Sequence, residues 1–365
     1  MSSGSFTSLS AYGWDDRLDA AFAPHREAGL VPGRVIAVDR GLADVATGDG
    51  VLRADVRSLS RPDAGPAGSD RSAMAPVTGD WAAVRPGEPP VVAELLPRRT
   101  AIVRASASGD SRGQVLAANV DTVAVVCPLT GGPDLARVER LLALAWDSGA
   151  VPVVVLTKAD LVDDPERLRA EVASAAPGAT VLAVSAADGT GVDAATAELA
   201  GTVVLVGPSG AGKSTLGNAL LGEERLATGA VRAVDGKGRH TTVRRELLPL
   251  PGGGVLIDTP GLRGIGLFDA GRGVERTFAD VEELAARCRF ADCAHDTEPG
   301  CAVQEAIGAG DLPRRRLDSY RKLLRENDWI AARTDARLRA ERAGRWKAIT
   351  RAQRQAYRLK GRKER

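Results

Sequence analysis

Apolar residues cluster in short runs between Val123 and Ile257: Val123 to Pro128, Val151 to Leu156, Val181 to Val184, Val203 to Val206 and Val255 to Ile257. Uninterrupted runs of this length, each followed by polar or glycine-rich residues, predict strands buried on both faces in a mainly parallel α/β sheet. The N-terminal third has a different texture. Gly33 to Val38 and Ala43 to Ala46 alternate around a turn, and Val77 to Val84, Val91 to Leu95 and Ala101 to Val103 continue the strand-like spacing. This pattern predicts a small β-barrel of about five strands. Pro62 to Pro76, rich in Gly, Ala, Ser and Asp, reads as a mobile inter-strand loop, and the small polar residues 1–13 predict no order. Near the C-terminus, Leu317, Tyr320 and Leu324 fall at helical spacing.

The run Val203 to Val206 leads into Gly207-Pro208-Ser209-Gly210-Ala211-Gly212-Lys213-Ser214-Thr215, the strand, glycine-rich turn and G-x-x-x-x-G-K-S of a phosphate-binding loop. Its glycines let backbone N–H groups converge on phosphates, Lys213 adds a point charge, and Ser214 offers a hydroxyl to Mg²⁺. A helix starting near Lys213 adds its positive dipole end. Upstream, Val151 to Leu156 ends in Thr157-Lys158-Ala159-Asp160, the form of a guanine-reading motif, in which the Asp160 carboxylate accepts from the ring N–H and amine of guanine. Val181 to Val184 leads to Ser185-Ala186, a short loop suited to meet the guanine oxygen. Val255 to Ile257 leads into Asp258-Thr259-Pro260-Gly261, where Asp258 can hold Mg²⁺ through water and the Gly261 N–H can sense a terminal phosphate. The base-reading motifs precede the phosphate loop, whereas ordinary GTPases run in the opposite order. A circularly permuted chain accounts for this, since permutation at exposed loops is tolerated.

Beyond that segment, Cys288, Cys293, His295 and Cys301 gather three of the chain's four cysteines and one of its three histidines within fourteen positions. Three thiols and one imidazole form a ligand set typical of a structural Zn²⁺ site, with reduced thiols beside a surface histidine as the alternative. Cys127, inside an apolar run, reads as a core residue. The net charge of +2 hides an asymmetry: residues 311–365 hold 19 Lys and Arg against 7 Asp and Glu. A polyanionic partner fits that end of the chain, where Trp329, Trp346 and Tyr357 stand among the charges at positions from which they could stack on bases. No segment has the roughly 18 consecutive apolar residues of a membrane span, and residues 1–13 lack the blocks of a signal peptide.

These motifs together resemble the ribosome small subunit-dependent GTPase A family, the circularly permuted GTPases also called RsgA. Gln114 to Asp121 resembles the family's entry into its GTPase domain, Arg239-His240-Thr241-Thr242 its first switch region, and Cys288 to Val303 its zinc segment. The resemblance covers nearly the whole chain. It implies an N-terminal extension at 1–30, partly disordered; an OB-fold RNA-binding domain at 31–108; a permuted P-loop GTPase domain with a mainly parallel sheet at 109–275; and a zinc-binding helical domain with a basic tail at 276–365. It further implies a cytoplasmic, monomeric GTP hydrolase that acts in late maturation of the small ribosomal subunit. GTP or GDP, Mg²⁺ and one structural Zn²⁺ are its cofactors. The subunit, its rRNA and other assembly factors are its partners, with no membrane among them.

Two departures stand out. Thr157 replaces the Asn of the usual N-K-x-D motif and so removes an amide that braces the loop around the base. Leu262 follows Gly261 where a water-positioning glutamine is usual, which leaves His240 as the candidate catalytic helper beside Lys213, an imidazole being able to donate and accept near neutral pH. Thr241 or Thr242 is expected to reach Mg²⁺ when the loop closes. The competing classes are a P-loop ATPase or small-molecule kinase, and an RNA-binding scaffold that holds GTP as a structural ligand.

Overall fold

Valine and alanine alternate inward along the first strands, and the small volume they fill sets the radius of a narrow barrel. The computed structural model describes residues 9–60, 75–105, 113–227, 245–258 and 270–334. Strands β1 (Val31–Asp39), β2 (Leu42–Thr47), β3 (Gly50–Asp55), β4 (Trp81–Arg85) and β5 (Val91–Leu95) close in the order β1-β2-β3-β5-β4, with β4 pairing back to β1. Val35, Ala43, Val45, Ala54, Ala82, Val84 and Val92 fill the interior. Gly33 is needed here, because a Cβ would stand 2.4 Å from Cγ1 of Val45 across the barrel.

Around the barrel the strand census differs from the sequence expectation in three places. Strand β3 is an additional barrel member; it follows β2 through the two-residue link Gly48-Asp49. The strand expected from Val77 begins only at Trp81, because Gly79 (φ 95°) and the Asp80 carboxylate, which accepts from Val77 N and Arg98, make 77–80 a turn. Ala101 to Val103 does not join the barrel: β6 (Ala101–Ala105) pairs with β7 (Gly113–Ala118) as a separate two-stranded sheet. The predicted loop at 62–76 lies outside the described residues except for its last two positions. Residues 9–13 are ordered. Leu9–Tyr12 form a 3₁₀ turn whose Leu9 and Tyr12 are buried, and helix α1 (Asp16–Glu27), capped by the Asp15 carboxylate, buries Phe22.

The five apolar runs and one strand the pattern did not predict, β12 (Glu246–Pro249), form a six-stranded sheet of β8 (Thr122–Pro128), β9 (Val151–Thr157), β10 (Thr180–Val184), β11 (Thr202–Val206), β12 and β13 (Val255–Asp258). Its order is β10-β9-β8-β11-β13-β12, parallel throughout except for the edge pair β12 and β13. The strand ends that carry the sequence motifs therefore lie along one edge, as ligand sites do in open α/β sheets. Helices α2 (Leu135–Asp147), α3 (Pro165–Ser174), α4 (Val192–Glu198) and α5 (Lys213–Leu221) cover the sheet. Asp134 caps α2 by accepting from Arg137 N, and Val138, Leu141, Leu142 and Ala145 supply its buried face.

Buried charge joins the parts. Arg34 of β1 is 1% exposed, stacks 4.4 Å from the Trp81 ring, and donates to Tyr12 O, Asn119 O and the Thr202 hydroxyl at the start of β11. Burial pushes its guanidinium down to about 10, still charged at neutral pH. Of the C-terminal helices α6 (Gly271–Thr277), α7 (Ala279–Ala285), α8 (Ala302–Ala309) and α9 (Arg314–Thr334), α6 and α9 dock on α2, while α7 packs against α6, α8 and α9. Gly273 comes so near the Ala143 carbonyl that a Cβ would stand at 1.9 Å. The Glu139 carboxylate, fully buried on α2, accepts from Arg316 at 2.8 Å, from Arg315 at 2.9 Å and from the Ser319 hydroxyl. Arg316 also donates to Asp280, Thr277 O and Ala175 O. Burial opposes its charge, yet Asp280 and Glu139 outweigh that effect and hold the guanidinium above its ordinary value.

Candidate nucleotide and metal sites

Strand β11 ends at Val206, and the chain turns at once because Gly207 adopts φ 152° with Val126 of β8 alongside; a Cβ on Gly207 would stand 2.2 Å from the Val126 carbonyl oxygen. Gly210 (φ 77°) and Gly212 (φ 85°) complete the loop, and α5 starts at Lys213. The N–H groups of Gly210 and Gly212 engage no acceptor among the described residues, and the first amides of α5 have no intrahelical partner. A concave row of donors at a positive helix end results, the arrangement that binds phosphate oxygens. Lys213 folds over it and donates to the carbonyls of Gly207 at 3.0 Å and Pro208 at 2.6 Å. Ser214 sits in the first turn beside it, and Pro208, Ser209 and Thr215 line the more open side.

Two strands away, β9 ends at Thr157, and Lys158 takes the left-handed conformation (φ 61°), which swings Ala159 and Asp160 into a short 3₁₀ turn. Ala159 is buried and anchors the turn, while the Asp160 carboxylate faces solvent. The two loops touch: the Thr157 hydroxyl donates to the Ala211 carbonyl at 2.6 Å, and Thr157 Oγ1 lies where a Cβ on Gly212 would meet it at 3.4 Å. The expectation that threonine removes a brace is thereby revised, since its shorter side chain ties the base-reading loop directly to the phosphate loop. At the end of β10, Ser185 N donates to Thr190 O and the Ser185 hydroxyl accepts from Ala187 N and Asp188 N. The Ala186 N–H is left without an acceptor among the described residues, so of this pair Ala186 holds the available donor. Asp258 lies half-buried at the end of β13, next to β11. Gly261, His240, Thr241 and Thr242 lie outside the described residues, as do Trp346 and Tyr357.

The cysteine segment has little apolar mass of its own and relies on side-chain convergence. The ligand atoms of Cys288, Cys293, His295 and Cys301 all lie within 4.8 Å of one another. Cys288 Sγ stands 3.9 Å from Cys301 Sγ, and each of these sulfurs is 3.5 Å from His295 Nδ1. A tetrahedral Zn²⁺ with ordinary bond lengths requires edges of about 3.8 Å between sulfurs and about 3.6 Å between sulfur and nitrogen, so the donor set fits the ion. The loop is shaped for it: His295 is left-handed (φ 59°), and the Glu298 carboxylate accepts from the amides of Ala294, Asp296 and Thr297. Backbone amides, its own included, hold that carboxyl below its usual range. Cys127 stands apart in β8, where burial pushes its thiol up and keeps it unreactive.

Sequence reading did not find Glu139, Arg316 or Arg34, because their partners lie up to 180 residues away. An acid inside an otherwise apolar helical face, as at Glu139, was the available signal.

Comparison with known proteins agrees with this geometry. The RsgA GTPase family model matches residues 95–268. The small ribosomal subunit biogenesis GTPase RsgA of Streptomyces coelicolor is 59% identical over 340 residues, covering 92% of this chain and 91% of that protein. Its namesake from Streptomyces avermitilis is 58% identical, covering 94% and 93%. Among solved structures, YjeQ from Thermotoga maritima superposes with a TM-score of 0.59 at 23% identity, covering 82% of this chain and 98% of that one. YloQ, a circularly permuted GTPase, superposes at 0.58 and 22%, covering 82% and 95%. With this loop geometry, strand order and sequence identity in agreement, the chain belongs to the RsgA GTPase family.

Proposed function

We propose that the chain hydrolyses GTP to GDP and phosphate, and that it does so on the small ribosomal subunit during that particle's maturation; its relatives are named small ribosomal subunit biogenesis GTPases. The observation that carries this reading is the 2.6 Å hydrogen bond from Thr157 to Ala211, which fixes the guanine-reading turn against the phosphate loop at one sheet edge. In this reading Asp160 accepts from the guanine ring N–H and amine, and the Ala186 N–H donates to the guanine oxygen. The amides of Gly210 to Thr215 hold the phosphates, with Lys213 exchanging its contacts to Gly207 and Pro208 for phosphate oxygens. Ser214, Asp258 and one of Thr241 or Thr242 hold Mg²⁺, which neutralises charge developing on the phosphates. His240 positions the attacking water.

The division of labour follows the architecture. The barrel, proposed as an OB-fold domain over 31–108, and the basic C-terminal part over 276–365 serve as RNA platforms on either side of the permuted GTPase domain over 109–275. The Cys288, Cys293, His295 and Cys301 cluster holds structural Zn²⁺ and leaves no open ligand position. Among the described residues no helix is long and apolar enough to cross a membrane, and we place the activity in the cytoplasm, with the chain a monomer and other subunit assembly factors as further partners.

Phosphate release under multiple turnover, with purified small or large ribosomal subunits added, tests the proposal. Turnover several-fold above the intrinsic rate with small subunits alone is expected. Equal stimulation by large subunits, or release that stops at one equivalent, would contradict it.

A further inference from the structure

Helix α9 has two unlike faces. Arg316, Leu317, Tyr320, Leu323 and Ile330 are buried against the GTPase and zinc segments. At about 100° per residue, Lys322, Arg325 and Trp329 fall within one outward arc, beside Arg315, whose guanidinium pairs with Glu139. Lys322 and Arg325 are exposed and engage no carboxylate or other acceptor among the described residues. The indole of Trp329 is 54% exposed, among the largest apolar exposures described. The one acid in the arc, Asp318, lies 3.5 Å from Arg314.

This face is also rigid. Arg316 clamps α9 to Glu139, Asp280 and two backbone carbonyls, and Arg140 pairs with Glu326 one level further along. Arg321 ties the helix to the cysteine segment by donating to Ala294 O and Asp296 at 2.5 and 3.0 Å. A cationic row that ends in a half-exposed indole on a fixed helix suits a polyanion that also presents flat apolar rings.

We infer that the outward face of α9 binds single-stranded RNA, with Lys322 and Arg325 on successive phosphates and Trp329 stacked on an unpaired base. The inference rests on the RNA-directed function proposed above and names a surface for it. RNA engages both features at once, phosphates on the cations and a flat base on the indole, which favours it over an acidic protein surface.

The test uses the full chain and a single-stranded RNA oligonucleotide of mixed sequence, titrated by fluorescence anisotropy across a KCl series. Replacing both cations (Lys322→Gln with Arg325→Gln) is expected to flatten the slope of log affinity against log salt by about 1.4, two phosphates at about 0.7 each. Trp329→Ala is expected to weaken binding about 5- to 150-fold at unchanged slope, with Trp329→Phe restoring most of it. GTP turnover without RNA is expected to stay at the unmodified rate in all three, which shows that the proteins are folded. Unchanged slope and affinity in both the double variant and Trp329→Ala would overturn the inference. So would a double variant that loses small subunits yet keeps the oligonucleotide, since the partner would then be an acidic protein. If the unmodified chain shows no subunit-stimulated turnover while the variants lose RNA as expected, the surface stands and the wider function falls.

Discussion

The phosphate loop and the cysteine cluster are built for their proposed ligands by opposite means. At the loop the fold comes first: parallel strands bring three separated segments to one edge, glycines turn the backbone, and the Gly210 and Gly212 amides are left without an acceptor among the described residues. At the cluster the ligand comes first, because Cys288 to Cys301 contains no strand or α-helix among its described residues and its side chains converge on a metal-sized centre. The nucleotide edge should therefore survive loss of its ligand, whereas the cluster should not. The Glu139 and Arg316 clamp ties α9, which also holds the cysteine segment through Arg321, to α2 of the sheet domain.

Metal removal gives the sharpest contrast. A strong chelator, or Cys293→Ser, should unfold the 288–301 segment, since structural zinc binding supplies about 10 kcal/mol or more of apparent folding free energy in small zinc domains. Hydrogen exchange there should rise to the unprotected rate while guanine-nucleotide affinity stays nearly constant; a parallel loss of both would erase the distinction. Glu139→Ala leaves the buried Arg316 guanidinium with one of its two carboxylate partners and should cost about 3–5 kcal/mol. Calorimetry should show an earlier or split transition, with α9 losing exchange protection before the sheet does.

Smaller effects probe the loop itself. Lys213→Ala should lower turnover by about 10²- to 10³-fold through lost charge stabilisation and change the melting temperature far less, because the hydrogen bonds of its ammonium to the Gly207 and Pro208 carbonyls are worth about 1 kcal/mol each. Thr157→Val should weaken GTP binding by about 1 kcal/mol, the net worth of one hydrogen bond, and Thr157→Ser should retain most of it. Equal affinities for all three residues at 157 would mean that the 2.6 Å contact does not position the base-reading turn.

Much of this was legible from residues close together in the chain. The phosphate loop, Asp160 turn and cysteine spacing are local patterns whose chemistry depends on a few neighbours, and the buried sheet announces itself through uninterrupted apolar runs. Strand β3 was less visible because Val51 points outward, 58% exposed, and blurs the alternation; the Gly48-Asp49 turn was the better signal. Ala101 to Val103 has the composition of a barrel strand, and only its pairing with Gly113–Ala118 places it elsewhere. The role of Thr157 was misjudged because its partner, the Ala211 carbonyl, is a backbone atom that no side-chain pattern can reveal. The Arg34 and Glu139 contacts depend on tertiary proximity alone.

The central claim is that Asp160 and Lys213 face one guanine nucleotide. Competition titration of GTP, ATP and xanthosine triphosphate against the unmodified chain and Asp160→Asn tests it most directly, since xanthine carries an oxygen where guanine has its amine and asparagine can donate to it. The account predicts strong GTP preference in the unmodified chain and a switch toward the xanthine nucleotide in the variant. Equal GTP affinity in both proteins, or ATP binding as tight as GTP, would contradict it.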